Sequence, residues 1–280
     1  MSQTAPPTED FSMLPSTFKV IRRGRSTIFL RTDREEDILR ERDEAKAAEC
    51  LSGRGAVRAY PMKNGGRMVV RPCRRGGFLG RIVSDLFLGC GRVVREIAAA
   101  EHGQAGGAPT ARILGARCDR VAGPLMRAEI ITDEIPDSCD LIRYCESAQA
   151  RAGFPGKRAL IPAIAQAVRR MHDAGIAHAD LHLKNVLIDK QGRAYVIDLD
   201  KAAILRPVQT RTRMGNLLRL DRSIRKWKAS RDLVTTADRL RFLTAYAGDD
   251  PALRAACRKI FRQERTYALH RFFWKLMGIE

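Results

Sequence analysis

The sequence predicts an α+β chain of two lobes, a small β-rich one followed by a larger, mainly helical one, and three observations carry that prediction. Short β-type runs and a hairpin pattern fill the first part of the 280 residues. Apolar stripes at helical spacing dominate after about residue 140. Between those helices stands one compact loop and hairpin, IAHADLHLKNVLIDKQGRAYVIDLD, at 176–200. The lobes are expected at 17–134 and 135–280, joined near Asp133 to Pro136, behind a flexible tail at 1–16.

From the N-terminus, FKVI and STIFL read as strands, and the charged run DREEDILRERDEAKAA is too poor in apolar residues for a core helix. AVRAYPM and RMVVRPC, separated by the glycine-bearing KNGG, form a hairpin pattern. FLGRIVSDLFLGCGRVVREIAAAEHG reads as one long helical stretch, closed by GQAGGAP, and PLMRAEIIT as a further strand. A helix is expected around Asp140 to Ala152. In RALIPAIAQAVRRMHDAG the residues Leu160, Ile161, Ile164, Ala165, Val168 and Met171 make one buried stripe. NVLID and AYVIDLD are strands around the turn KQGR, and helices follow at about 214–229, 235–247 and 252–277.

Charge narrows the partners. Lys and Arg number 51 against 32 Asp and Glu, a net charge of +19, and residues 201–280 hold 19 basic against 7 acidic side chains. Such a surface seeks anionic partners. No zinc-ligand spacing, RNP run or helix-turn-helix accompanies the charge, so nucleic acid is not expected. No uncharged apolar run approaches the roughly 18 residues of a membrane span. The seven cysteines form no CxxC pair, and MSQTAPPTEDFSMLPS lacks the basic start and apolar stretch of a secretory signal. A cytoplasmic chain with reduced thiols is expected.

The chemistry concentrates in HADLHLKN. Asp180 stands five residues before Asn185, and Asp198 follows thirteen later at the end of a hairpin strand. Phosphoryl transfer needs a carboxylate near the attacking hydroxyl and hard oxygen ligands for the Mg2+ that bridges nucleotide phosphates. The spacing is the kinase pattern HxDxxxxN followed by a metal-binding Asp, with Asp180 as base and Asn185 and Asp198 as metal ligands. His178 braces the loop, and His182 and Lys184 have the reach to meet phosphate or acceptor. A kinase further needs a glycine-rich cover, a cation on a strand and a helical Glu. Gly53 and Gly55 of SGRGAV fit the cover. Arg71 in MVVR stands where lysine is usual, and its guanidinium grips phosphate bidentately. Glu96, ahead of Glu101, is its natural partner.

On SGRGAV, VVRPCRRGGFLGRIVSDLFLG, VVREIAAAE, ITDEIPDSCDL as hinge, HADLHLKNVLID and VIDLDKA, the chain resembles the lipopolysaccharide core kinases, above all those acting on 3-deoxy-D-manno-octulosonic acid (Kdo). The resemblance runs over most of the length. It implies a bilobal protein-kinase-like fold and transfer of the ATP γ-phosphate to a Kdo hydroxyl in a lipid A precursor, and it makes the arginine at 71 a family habit. With the basic C-terminal half, it implies peripheral docking on the anionic cytoplasmic face of the inner membrane, where RTYALHRFFWKLMG has an interfacial character. Two alternatives stay open: a kinase-like phosphotransferase for a heptose, small molecule or protein, and a pseudokinase binding module for anionic membrane or nucleic acid, for which Arg71 argues.

Overall fold

The computed structural model describes residues 11–34, 49–50, 57–62, 66–74, 85–146 and 148–262. The chain divides into two compact units that are not contiguous in sequence. The first comprises 1–102 and 111–135, the second 103–110 and 136–280.

In the first unit, β1 (Phe18–Arg23) and β2 (Ser26–Arg31) form a hairpin around Gly24, whose φ of 58° suits a residue without Cβ. β3 (Glu49–Cys50), β4 (Arg58–Pro61) and β5 (Arg67–Pro72) follow, with Arg58 opposite Val70 in the expected hairpin. β6 (Phe87–Leu88) precedes the helix α1 (Gly91–Ala105), and β7 (Ile113–Ala122) and β8 (Leu125–Asp133) form the longest ladder. The antiparallel sheet runs β1-β2-β7-β8-β5-β4-β3, with β6 on β8. Met68 and Val70 face a core of Ile28, Leu30, Tyr60, Met62, Leu114 and Ile131. The pleat therefore turns Val69 and Arg71 to the opposite side.

The second unit opens with β9 (Ser138–Asp140), α2 (Leu141–Glu146) and α3 (Ala148–Arg151). α4 (Lys157–Asp173) buries Leu160, Ile164, Ala165, Val168 and Met171, as its spacing predicts, with Ile161 half-buried. β10 (Ile176–His178) pairs with β13 (Ala202–Ile204), and β11 (Val186–Asp189) lies between β12 (Ala194–Val196) and β9. α5 (Thr210–Lys226), α6 (Lys228–Leu233) and α7 (Thr236–Ala247) follow, then a helix described over 251–262. Thr235 and Asp238 cap α7 reciprocally, and Lys157 of α4 donates to the same Asp238 carboxylate at 2.8 Å. That cation and those hydrogen bonds hold the Asp238 carboxyl far below its usual range, against the burial that would raise it.

Several boundaries differ from the expectation. The described helix around VVREIAAAE starts at Gly91, not near 78, because Phe87 and Leu88 pair with Met126 and Leu125 and Gly89 turns the chain with φ 63°. The helix then runs through Gly103 and stops at Gly106 and Gly107. The segment around Asp140 to Ala152 begins as a strand and then holds two short helices. AYVIDLD stays extended only to Val196, because Asp198 has φ 66° and breaks the ladder. The first C-terminal helix starts at Thr210 and is interrupted at Trp227, whose ψ of 124° is extended.

Candidate active site

His178 ends β10 fully buried, and its ring stitches two segments. The Asp180 amide donates to Nδ1 at 3.2 Å, while Nε2 lies 3.1 Å from the Ile197 carbonyl. An acceptor at one nitrogen and a donor at the other fix the neutral tautomer with the proton on Nε2. Burial, opposed by the Ile197 carbonyl, lowers the pKa of this ring, so the neutral form persists. The imidazole is thus a brace, as expected from the sequence, with both nitrogens committed.

Asn185 closes the same loop from its other end. Its Nδ2 donates to the Asp180 carbonyl at 3.0 Å, its backbone amide donates to His182, and its carbonyl accepts from the Ile197 amide at 2.9 Å. The residue is buried, and its Oδ1 is the amide atom left for a ligand. Asp198 directly follows Ile197, which is tied to both His178 and Asn185. The left-handed turn at Asp198 costs roughly 1 kcal/mol, held by the surrounding hydrogen bonds.

The Asp180 side chain is 44% exposed, the condition a base needs to meet substrate. One of its oxygens, Oδ2, lies 3.9 Å from His182 Nε2 and 3.7 Å from Lys201 Nζ. Lys201 escaped the sequence reading, although VIDLDKA placed it three residues past Asp198; nothing in a linear pattern says that β13 folds back alongside β10. Lys184 turns instead to Trp227, its Nζ 4.6 Å from the ring centroid. Behind the loop, Asn216 of α5 accepts at Oδ1 from the His178 amide at 3.0 Å and lies 3.0 Å from His172 Nε2. His172 Nδ1 is 2.8 Å from the Tyr246 hydroxyl, and burial lowers the pKa of that imidazole to about 4.

In the first unit, Arg71 of β5 forms an ion pair and hydrogen bond with Glu96 of α1, which is 3% exposed at its side chain. The period of two that turned Arg71 away from the core makes this meeting possible. Glu101, the less favoured partner, pairs with Arg31 at 2.5 Å. Gly53 and Gly55 lie outside the described residues.

Asn185 and Asp198 offer the oxygen donors that a hard divalent cation prefers, a set suited to Mg2+ when phosphate and water oxygens complete the shell. Among the described residues no cluster of three or more His, Cys, Asp or Glu gathers as a metal site. The described cysteines are free thiols; Cys139, Cys145 and Cys257 are raised to about 11 by burial and are inert at neutral pH.

Comparison with known proteins agrees with the resemblance read from the motifs. The model of the lipopolysaccharide kinase (Kdo/WaaP) family matches residues 40–246. A 3-deoxy-D-manno-octulosonic acid kinase of Vibrio cholerae is 28% identical over 185 residues, covering 65% of this chain and 75% of that protein. One of Xanthomonas axonopodis pv. citri is 32% identical over 176 residues, 59% of this chain and 65% of that protein. A solved structure of WaaP in complex with acyl carrier protein aligns with 22% identity and a TM-score of 0.49 over 84% of this chain and 98% of that one. The α+β architecture is accordingly the bilobal protein-kinase-like one, and the activity is phosphoryl transfer to a hydroxyl in lipopolysaccharide biosynthesis. A family model matched over most of the length, with the catalytic pattern inside it, means that this chain belongs to the lipopolysaccharide kinase (Kdo/WaaP) family.

Proposed function

We propose that the chain transfers the γ-phosphate of ATP to a hydroxyl of Kdo in a lipid A precursor. The observation that carries this reading is the stitched loop. The His178 ring and the Asn185 side chain clamp the Asp180 backbone from both sides, and Ile197 ties Asp198 to the same edge. The geometry leaves one exposed carboxylate on a rigid support, which is what in-line attack by a sugar hydroxyl requires.

Asp180 orients the acceptor hydroxyl and takes its proton as the oxygen bonds to the γ-phosphorus and ADP leaves. Asn185 Oδ1 and the Asp198 carboxylate are the ligands for Mg2+, which when bound offsets the charge on the phosphate oxygens. Arg71, held by Glu96, is the residue to grip phosphate oxygens with its fork of donors, and Gly53 and Gly55 of SGRGAV are the candidates for the glycine-rich cover. Lys201 places positive charge beside the Asp180 carboxylate, where phosphate charge accumulates, and the His182 ring stands on the same side. The pair Asn185 and Asp198 argues against a pseudokinase, which has no need of metal ligands on a rigid loop.

The acceptor lies in an anionic leaflet, and the basic surface of residues 201–280 suits peripheral docking on its cytoplasmic face. No described helix is long and apolar enough to cross a membrane.

Transfer of label from ATP to a Kdo-bearing lipid A precursor, and not to the Kdo-free lipid, tests the reading. Asp180→Asn should lower kcat at least a thousandfold, roughly the weight of a catalytic base in a preorganised site. Its thermal midpoint should stay unchanged, as the half-exposed side chain carries little packing. Full turnover in that variant would remove Asp180 from the role.

A further inference from the structure

Trp227 and Lys184 form a pair that holding the phosphates of ATP does not require. Trp227 sits between α5 and α6, where the backbone leaves helical geometry, and is 38% exposed, one of the large apolar residues so presented among the described residues. The Lys184 ammonium stands over its ring at 4.6 Å. Lys184 is the residue before Asn185 and four after Asp180, so the ring is fastened to the loop that carries both. A second tie holds the two elements together, because the Leu183 amide donates to Ser223 Oγ of α5 at 3.2 Å. By helical spacing, the face of α5 that carries Ser223 also carries Arg219 and Lys226. An exposed aromatic ring tied to the loop that carries Asp180, with one cation over it and two more on the neighbouring helix, has the composition of a platform for a sugar that bears negative charge. The ring offers a flat apolar surface to the sugar's C–H face, and the cations offer partners for a carboxylate.

We propose that Trp227, with Lys184, is the acceptor-binding platform of this kinase and holds the anionic sugar ring next to Asp180. This rests on the proposed reading of the chain as a kinase of Kdo, and it names the residues by which that sugar is selected. The same placement explains why Lys184 is followed at once by the metal ligand Asn185: seating the sugar on the platform positions its hydroxyl against the loop that does the chemistry. Arg219 and Lys226 add charge around the rim and set the salt sensitivity of acceptor capture.

The test uses the full chain. The sequence contains two tryptophans, Trp227 and Trp274, so a Trp274→Phe background leaves Trp227 as the sole indole. Its emission is titrated, without ATP, with a deacylated Kdo-bearing lipid A disaccharide and with the same disaccharide lacking Kdo. In parallel, Trp227→Ala, Trp227→Phe and Lys184→Ala are assayed for the KM of acceptor and of ATP. The expected result is a saturable shift of emission with the Kdo-bearing probe alone. Acceptor KM should rise about tenfold in Trp227→Ala, the change that 1.4 kcal/mol corresponds to, with near recovery in Trp227→Phe and an unaltered KM for ATP. An unmoved emission and an unmoved acceptor KM in an enzyme that still turns over would overturn the platform and leave the kinase reading intact. Equal responses to both probes would overturn the assignment to the charged sugar. If the wild-type chain transfers nothing to the Kdo acceptor yet its emission responds to Kdo, the platform stands and the reaction assigned to it falls.

Discussion

Asn216 accepts two hydrogen bonds at one buried oxygen, from the His178 backbone amide and from His172 Nε2. The second bond requires the proton on Nε2 of His172, and its Nδ1 then accepts from the Tyr246 hydroxyl. Both imidazoles are therefore folded as neutral rings. His172 has a native pKa of about 4 against 6.5 when free, so the unfolded chain binds the extra proton between those values. Stability is complete above pH 6.5 and falls as the pH drops towards 4, by on the order of 3 kcal/mol from this group if fully expressed. His178, shifted in the same direction, adds to the slope. Urea midpoints should accordingly be lower at pH 5 than at pH 7.5. Replacing Asn216 by Ala should cost about 2 kcal/mol at either pH by leaving two buried donors unanswered. The pattern that brings Asp180 and Asn185 onto one hydrogen-bonded loop, with Asp198 following Ile197 at its edge, is legible in linear sequence because it is a fixed spacing of residue types. It does not carry Asn216 or Lys201, whose roles depend on which helix or strand returns to lie behind the loop.

At the scale of elements, the joint between β5 and α1 has the most to lose. Glu96 is buried, and Arg71 is a cation that pairs with it. Arg71→Ala should destabilise the chain by about 3 kcal/mol, since it removes a charge partner from a buried carboxylate, and Glu96→Gln in the same background should recover much of the loss. Chemical denaturation of the four members of that double-mutant cycle measures it. Arg71→Lys should keep most of the stability while raising the KM for ATP, because an ammonium replaces a bidentate fork. The hairpin of β4 and β5 and the stripe of α4 were both legible, as period two and period 3.6 are local signals. β7, the longest strand, was not. Its ILGARCDRVA lacks clean alternation, since β7 lies inside the sheet between β2 and β8 and buries both faces at its start. The helix expected over 78–103 is interrupted at 85–90 for the converse reason, and its part before 85 lies outside the described residues. FLGRIVSDLFLG is apolar enough for either state, and the pairing of Phe87 with Met126 decided its last residues.

Across the whole chain the net charge of +19 is concentrated late, a distribution that bears on association with anionic surfaces more than on folding. Binding of the chain to vesicles containing an anionic phospholipid should weaken steeply between roughly 0.05 and 0.3 M salt, as the Debye length shrinks below about 10 Å. Sedimentation with neutral vesicles should show little binding at any salt. The lobe order was readable from the sequence because strands and helices segregate along it, yet the sequence concealed that residues 103–110 belong with the second unit. In that short segment the Pro109 carbonyl accepts from the Val196 amide at 2.8 Å, two residues before Asp198. A Cβ added at Gly106 would stand 2.7 Å from the Ala174 side chain. Splitting the gene at residue 135 would thus deprive the catalytic half of a piece that its own hairpin is fastened to. Such a half should come out of the cell aggregated, whereas one beginning near residue 100 keeps that fastening and has the better prospect of autonomy.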